Sequence, residues 1–234
     1  MNAAIRTALS ELEPAGMATP DAGLQQRKSA ETRVTILDAA VDCLARVGYA
    51  RTTTQLIAKV ANVSRGAMLH HYSTKQELIA SVIDYAFYRH LEQFITSVRE
   101  LPEVERMRDN AGILIDWRLY QSREYSAYLE LTVAARTDEE LRATFVPKAR
   151  RHDRAWREEL ERVFPEWADD PALLSRSRRL VQTVMSGMVL NRDVWADIDM
   201  ERALLAFLSS ALLKVREGTL DWPDGDDLDL PVTA

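Results

Sequence analysis

Residues 51–78 read RTTTQLIAKVANVSRGAMLHHYSTKQEL. Two short runs of helical periodicity, TQLIAKVA and RGAMLHH, each follow a hydroxyl residue, Thr53 and Ser64, that can cap the free N–H groups of a first turn. Between them Ala61-Asn62-Val63 leaves room only for a tight turn, and Asn62 tolerates the left-handed backbone such a turn uses. Ala58 is small where the two helices would cross, and Ile57 and Val63 can point inward. A pair of short helices joined this closely can present the first turn of the second one to the major groove of DNA. Gly66 and Ala67 lack the bulk to block base edges, and Arg65 can reach guanine. His70, His71, Tyr72 and Lys75 would flank the groove within reach of phosphates, contacts that set position rather than sequence. With the helix starts Thr53 and Ser64 they complete the expected DNA-contacting set.

Working outward, the period stays near 3.6 and no alternating strand pattern appears, so the expected fold class is all-α. A helix over about 32–47 carries Val34, Leu37, Ala40, Val41 and Leu44 on one face and stops at Gly48. Lys75 opens a long fourth helix striped by Leu78, Ile79, Val82, Ile83, Ala86, Leu91, Phe94, Ile95 and Val98. Beyond Leu101, where all five tryptophans lie, helices are expected near 103–121, 123–135, 138–164 (bent at Pro147), 171–195 and 200–216. The organisation predicted is a disordered arm over 1–28, a helix-turn-helix domain over 29–95, a larger helical domain over 96–216 and a mobile tail over 217–234. That tail holds six acidic residues and no basic one.

Net charge is −6, but it is unevenly placed. Arg27 to Lys75 holds eight basic and three acidic residues, a net of +5, which leaves −11 for the remainder. A basic block on an acidic body is the asymmetry of a nucleic-acid module joined to something else. The chain lacks the 18 or more uninterrupted apolar residues of a membrane span, and Met1 to Lys28 has no apolar core of a signal peptide. With Cys43 as its single cysteine it reads as cytoplasmic, without a disulfide framework. No HExxH, ExxH, GxSxG, GxGxxG or P-loop spacing supports an enzyme, and adjacent His70 and His71 diverge by about 100° on a helix, so no metal or cofactor is expected.

The quoted stretch resembles the DNA-binding domain of the tetracycline-repressor (TetR) family, whose pattern runs roughly T-T-x-x-x-I-A-x-x-A-G-V-S-x-G-x-L-Y-x-H-F-x-x-K-x-x-L. Thr52, Thr53, Ile57, Ala58, Ala61, Val63, Ser64, Gly66, His71, Lys75 and Leu78 match it, and Met68 and Tyr72 replace similar residues. Asn62 stands for the usual turn glycine and Leu69 for a tyrosine from which the family often contacts phosphate. The resemblance covers about residues 31–95 and implies a regulator, expected to be a repressor of a palindromic operator on double-stranded DNA.

The second domain supplies candidates for control. Ile113, Asp116, Trp117 and Tyr120 share one helix face; Tyr125, Tyr128 and Thr132 share the next; Phe145, His152, Trp156 and Leu160 share the long kinked one. An aromatic cavity with few polar anchors suits a small apolar or amphipathic effector, with Asp116 and His152 as anchors and Ile113, Trp117, Tyr120, Tyr128, Phe145 and Trp156 as walls. Control by a protein partner is the alternative reading, and an all-helical enzyme a further one. A homodimer is expected through the last two helices, with Val184, Gly187 and Met188 on one and Leu204, Leu208 and Ala211 on the other, because tight binding needs two half-sites and two-fold symmetry needs a self-complementary patch. The resemblance implies a four-helix bundle there.

Overall fold

Side-chain caps decide where the helices of this protein begin. In the computed structural model, which describes residues 12–14, 16–17, 23–102, 111–164 and 170–222, Thr53, Ser64 and Thr74 accept hydrogen bonds from the backbone N–H groups of Leu56, Ala67 and Glu77, each at 3.1 Å. Each cap satisfies one of the orphan donors of a first turn, worth about 1 kcal/mol. They start α2 (Thr54–Val60), α3 (Arg65–His71) and α4 (Lys75–Glu100). Before them runs α1 (Leu24–Arg51); after them come α5 (Ala111–Tyr120), α6 (Arg123–Ala134), α7 (Glu139–Val163), α8 (Pro171–Trp195) and α9 (Ile198–Arg216). Among the described residues there is no strand. Asn62 takes φ 53, so the turn between α2 and α3 uses the left-handed backbone that asparagine tolerates.

Three boundaries differ from the sequence expectation. The segment 1–28 does not read as an arm throughout: α1 begins at Leu24, and Leu12 is buried against Leu91, Phe94 and Ile95. The division at 95/96 falls inside α4. Leu78, Ile79, Val82, Ile83, Ala86 and Phe87 belong to the core around the helix pair, while Leu91, Phe94, Ile95 and Val98 from the same helix belong to the next core. One unbroken helix therefore seats both regions. Most of the helix expected at 103–121 is seen as α5, but 103–110 lies outside the described residues, as does the tail from 223 onward. Pro147 sits inside α7.

The first core also reaches past α4, taking in Ala127, Leu131 and Ala135 from α6 and its end and Leu141 and Phe145 from α7. Against this packing α1 is pinned by charge. Arg123 of α6 donates to Asp38 at 2.7 Å and Asp42 at 2.9 Å, and Tyr85 adds a bond to Asp38 at 2.9 Å. Two of the three acidic residues in the basic block are thus already paired with the second domain.

Gly48 interrupts α1 with φ 79 and ψ 167, a conformation open to glycine and costly for other residues. Just beyond it the Tyr49 N–H donates to Glu130 of α6 at 2.6 Å and the Tyr49 carbonyl accepts from Lys75 Nζ at 3.1 Å. A Cβ at position 48 would lie 2.9 Å from the Glu130 carboxylate. Gly48→Ala should cost roughly 1–3 kcal/mol in urea unfolding through backbone strain. Adding Glu130→Ala removes the contact but not the strain, so the double variant should remain destabilised.

Candidate functional site

The exposed face of the helix pair comes directly from α3's short periodicity. Met68 and Tyr72 point inward and are buried, so Arg65, Gly66, Leu69 and His70 are left facing solvent. Thr53, Ser64 and Lys59 are exposed beside them, while Ala67 and His71 are half-buried. The capping hydroxyls of Thr53 and Ser64 act as acceptors toward their own helices, which leaves each hydroxyl proton to be given outward. Leu69, marked in the sequence only as a departure, is 49% exposed one turn beyond Arg65.

Two expected phosphate contacts are not available on this face. Tyr72 is only 1% exposed and packs into the first core with Arg33 over its ring, because the alternation that exposes Leu69 and His70 turns residue 72 inward. Lys75 is half-buried, sits 4.3 Å from the centre of the Tyr49 ring and holds the Tyr49 carbonyl; burial lowers its pKa. It fastens the turn after Gly48 rather than standing toward solvent. The exposed cations of this module are Arg27, Lys28, Arg46, Arg51, Lys59 and Arg65.

A second site lies between α4, α5, α6, α7 and α8. Asp116, Tyr120, Tyr128, His152 and Trp156 line it together with His90, Tyr125, Arg178, Val181 and Gln182, around a cavity of about 20 Å³. That volume suits a single water. Rings form most of the wall: His90 lies 4.8 Å from Trp156 and 5.5 Å from Tyr125, and Tyr120 lies 4.1 Å from Tyr125. Ile113, Trp117 and Phe145 do not reach it. Ile113 and Trp117 pack with Val181, Met185, Leu205 and Leu208, and Trp117 Nε1 donates to Glu201 at 3.1 Å. Phe145 packs on Phe87 and Tyr128 in the first core. Arg178 and Gln182 are found only in three dimensions; on the sequence they look like solvated positions of a helix. His90 sat in the apolar stripe of α4, where its burial was the available signal.

Several of the cavity's polar atoms are buried without a protein hydrogen-bond partner. Asp116 Oδ1, His90 Nε2, His152 Nε2, Gln182 Oε1 and Arg178 Nε all lack a hydrogen bond. A buried polar atom with no partner at all costs on the order of 1–3 kcal/mol, and a water in a cavity of this size can meet several of them. Burial raises the Asp116 pKa to about 7 and lowers His90 to about 3, with His152 also held well below its usual value; the Arg178 charge opposes the first shift and adds to the other two.

A family model described as "Bacterial regulatory proteins, tetR family" matches residues 36–82. An HTH-type transcriptional regulator of Mycobacterium tuberculosis is 31% identical over 193 residues, 80% of this chain and 96% of that protein. The chain belongs to the TetR family. The HTH-type transcriptional repressor AcnR of Corynebacterium efficiens is 33% identical over 135 residues, 58% of this chain and 67% of the relative. A solved TetR-family regulator from Marinobacter aquaeolei shares the fold with a TM-score of 0.56 at 15% identity, covering 80% of this chain and 96% of that one. This TetR-family protein is a DNA-binding transcriptional regulator and not an enzyme. No helix among its described residues is long and apolar enough to cross a membrane.

The Asp116 shift has a measurable sign. Its folded pKa of about 7 lies above the usual 3.8, so folding takes up a proton between those values. Asp116 therefore costs the fold most above pH 7 and least near pH 4. Asp116→Asn should raise the melting temperature of the regulator at pH 8, by roughly 2–4 °C per kcal/mol recovered, and the gain should shrink as pH falls toward 4. His90 and His152, kept neutral in the fold, lower stability as pH drops below 6.5 in both proteins, so the difference between wild type and variant isolates Asp116.

Proposed function

We propose that this regulator is a cytoplasmic repressor that holds a palindromic operator as a homodimer and lets go when a small apolar or amphipathic ligand enters the second-domain cavity. The observation that carries this reading is the group of unpaired buried polar atoms within a ring of aromatic side chains. A bound molecule can satisfy such a group, and the surrounding rings offer it apolar surface. Repression is supported by the name of the AcnR relative. Because the cavity is small, a ligand acts by favouring a wider state of the domain, and only a difference in affinity between states can move the equilibrium. The test is operator release in a gel-shift titration against a library of small aromatic compounds, with melting temperature measured in parallel. Compounds that release DNA should also raise the melting temperature, and Trp156→Ala should blunt release more than DNA affinity. A library without either effect would favour a protein partner.

Sequence reading is assigned to Arg65, with Gly66 and Ala67 giving it clearance and the exposed cations contacting phosphate. Arg65→Ala should relax base preference at particular positions at a cost of about 1–3 kcal/mol. Lys75→Ala should instead lower the melting temperature and leave the salt dependence of DNA binding nearly unchanged, since Lys75 is spent on Tyr49.

For the dimer, burial redistributes the expected contacts. Met188 and Leu208 are buried within the chain at 4% and 3% exposure and face inward. Val184, Gly187, Leu204 and Ala211 are partly exposed, and a Cβ at Gly187 would meet nothing within 4 Å. Beyond them Leu190 and Val194 on α8 and Phe207 on α9 are 56%, 78% and 75% exposed, an apolar face suited to its own symmetry copy. Phe207→Glu combined with Val194→Glu should sediment as a folded monomer; an unchanged dimer would place the interface elsewhere.

A further inference from the structure

A groove of about 620 Å³ runs between the last turns of α1, one face of α6 and the C-terminal half of α8, and it shares no lining residue with the aromatic cavity. Small-molecule sites occupy about 300–1,000 Å³, a range the groove falls within. Its apolar lining is aliphatic. Leu44 and Leu129 are buried, Val47 and Val189 are half-buried, and Val133 and Leu190 are 49% and 56% exposed. No aromatic ring is among its described lining residues. Contact with a hydrocarbon chain, rather than stacking on a flat ring, is what such a surface offers.

Charge along the α1 side is unbalanced. Arg46 and Arg51, two of the module's exposed cations, also line the groove. Arg51 Nε donates to the Val47 carbonyl at 2.9 Å, which holds its stem against the last turn of α1 and leaves its terminal N–H groups uncommitted. Among the described residues neither arginine pairs with a carboxylate. Glu130, the one carboxylate among the described lining residues, already accepts the Tyr49 N–H at 2.6 Å, and Ser126 gives its hydroxyl proton to the Ser122 carbonyl at 3.0 Å. Two guanidinium groups against one carboxylate leave the groove net positive by one charge, which a single anionic group balances.

We infer that this groove is a binding site for an aliphatic monocarboxylate, with the carboxylate on Arg46 and Arg51 and the hydrocarbon chain along Leu129, Val133, Val189 and Leu190. The bound molecule touches α1, α6 and α8 at once, beside the contact between Tyr49 and Glu130. The site stands independently of the cavity's reading as an effector site. Leu190 also belongs to the face assigned to the dimer, which makes a second copy of the chain the rival occupant.

The full-length protein is titrated calorimetrically at pH 7.5 with hexanoate, octanoate and decanoate, and with 1-decanol and decyltrimethylammonium. Each added pair of methylenes should tighten carboxylate binding roughly three- to tenfold. Decanoate should bind roughly tenfold more tightly than the alcohol or the cation, because only the carboxylate gains the two exposed ion pairs. Arg46→Ala combined with Arg51→Ala should weaken decanoate roughly tenfold and leave decanol unchanged, and Val133→Gln should weaken both. Gln182→Leu, which alters the aromatic cavity and not the groove, should change neither. The three groove positions are exposed, and the melting curve of each variant checks its fold. If decanol or the cation matches decanoate, or if the arginine pair makes no difference, the carboxylate assignment is overturned. Loss of decanoate binding in Gln182→Leu would move the chain into the cavity and overturn the site. Absence of carboxylate binding also overturns it, and altered sedimentation of the groove variants would then assign the groove to a second copy of the chain.

Discussion

The helix-turn-helix module and the second domain meet most closely along the seam between α1 and α6. The seam is held by packing of Ala127 and Leu131 against the first core and by Arg123 bridging Asp38 and Asp42. Its ion pairs are partly exposed, with the Arg123 side chain 38% accessible, so the apolar contacts carry most of the stability and the charges set the register. Near its end Glu130 receives the Tyr49 N–H just beyond Gly48, so α6 also fixes the last turn of α1. The helix-turn-helix module thus leans on an element of the second domain for one of its own helix ends.

The same helix contributes Tyr125 and Tyr128 to the cavity wall. A helix moves as a rigid body more readily than it bends, so its two faces share one displacement. Tyr125, which lines the cavity, lies only five positions from the Gly48 latch at Glu130 on the same helix. The continuous α4 provides the second rigid connection, with Phe87 stacked on His152 at 4.3 Å near the point where it passes from one core to the next. Control of DNA binding from the cavity, as proposed, would need no mobile linker in such a frame.

The cavity is also where local rules are broken. Elsewhere some buried polar groups are met, as when Glu159 pairs with Arg162 at 2.5 Å or Tyr85 with Asp38, while the Tyr72 hydroxyl and Ser177 Oγ are not. In the cavity Asp116, His90 and His152 remain unmet in close company with aromatic rings. Sites that bear such costs are those where function opposes stability. Asp116 and His152 could be singled out in the sequence because a carboxylate and an imidazole stand out within an aromatic helix face. Arg178 and Gln182 could not, since a charged or amide residue on a long helix looks alike whether its tip meets solvent or a cavity.

The helix-turn-helix module was legible before any coordinates, because its information is local: caps at Thr53, Ser64 and Thr74, a left-handed Asn62, a glycine stop at position 48 and a periodicity that each act within a few residues. Sequence periodicity likewise gave most helix limits of the second domain, and the motif gave the family. Tertiary structure decided the questions of direction. Tyr72 and Lys75 share the motif with Arg65, yet one is drawn into the core and the other to the Tyr49 carbonyl, because their partners come from α1, outside the motif. Ile113 and Trp117 lie on the same helix as Asp116 and Tyr120, yet the placement of α8 and α9 turns the first pair away from the cavity. Helical spacing defines which residues share a face; only the packing of distant helices defines what that face meets.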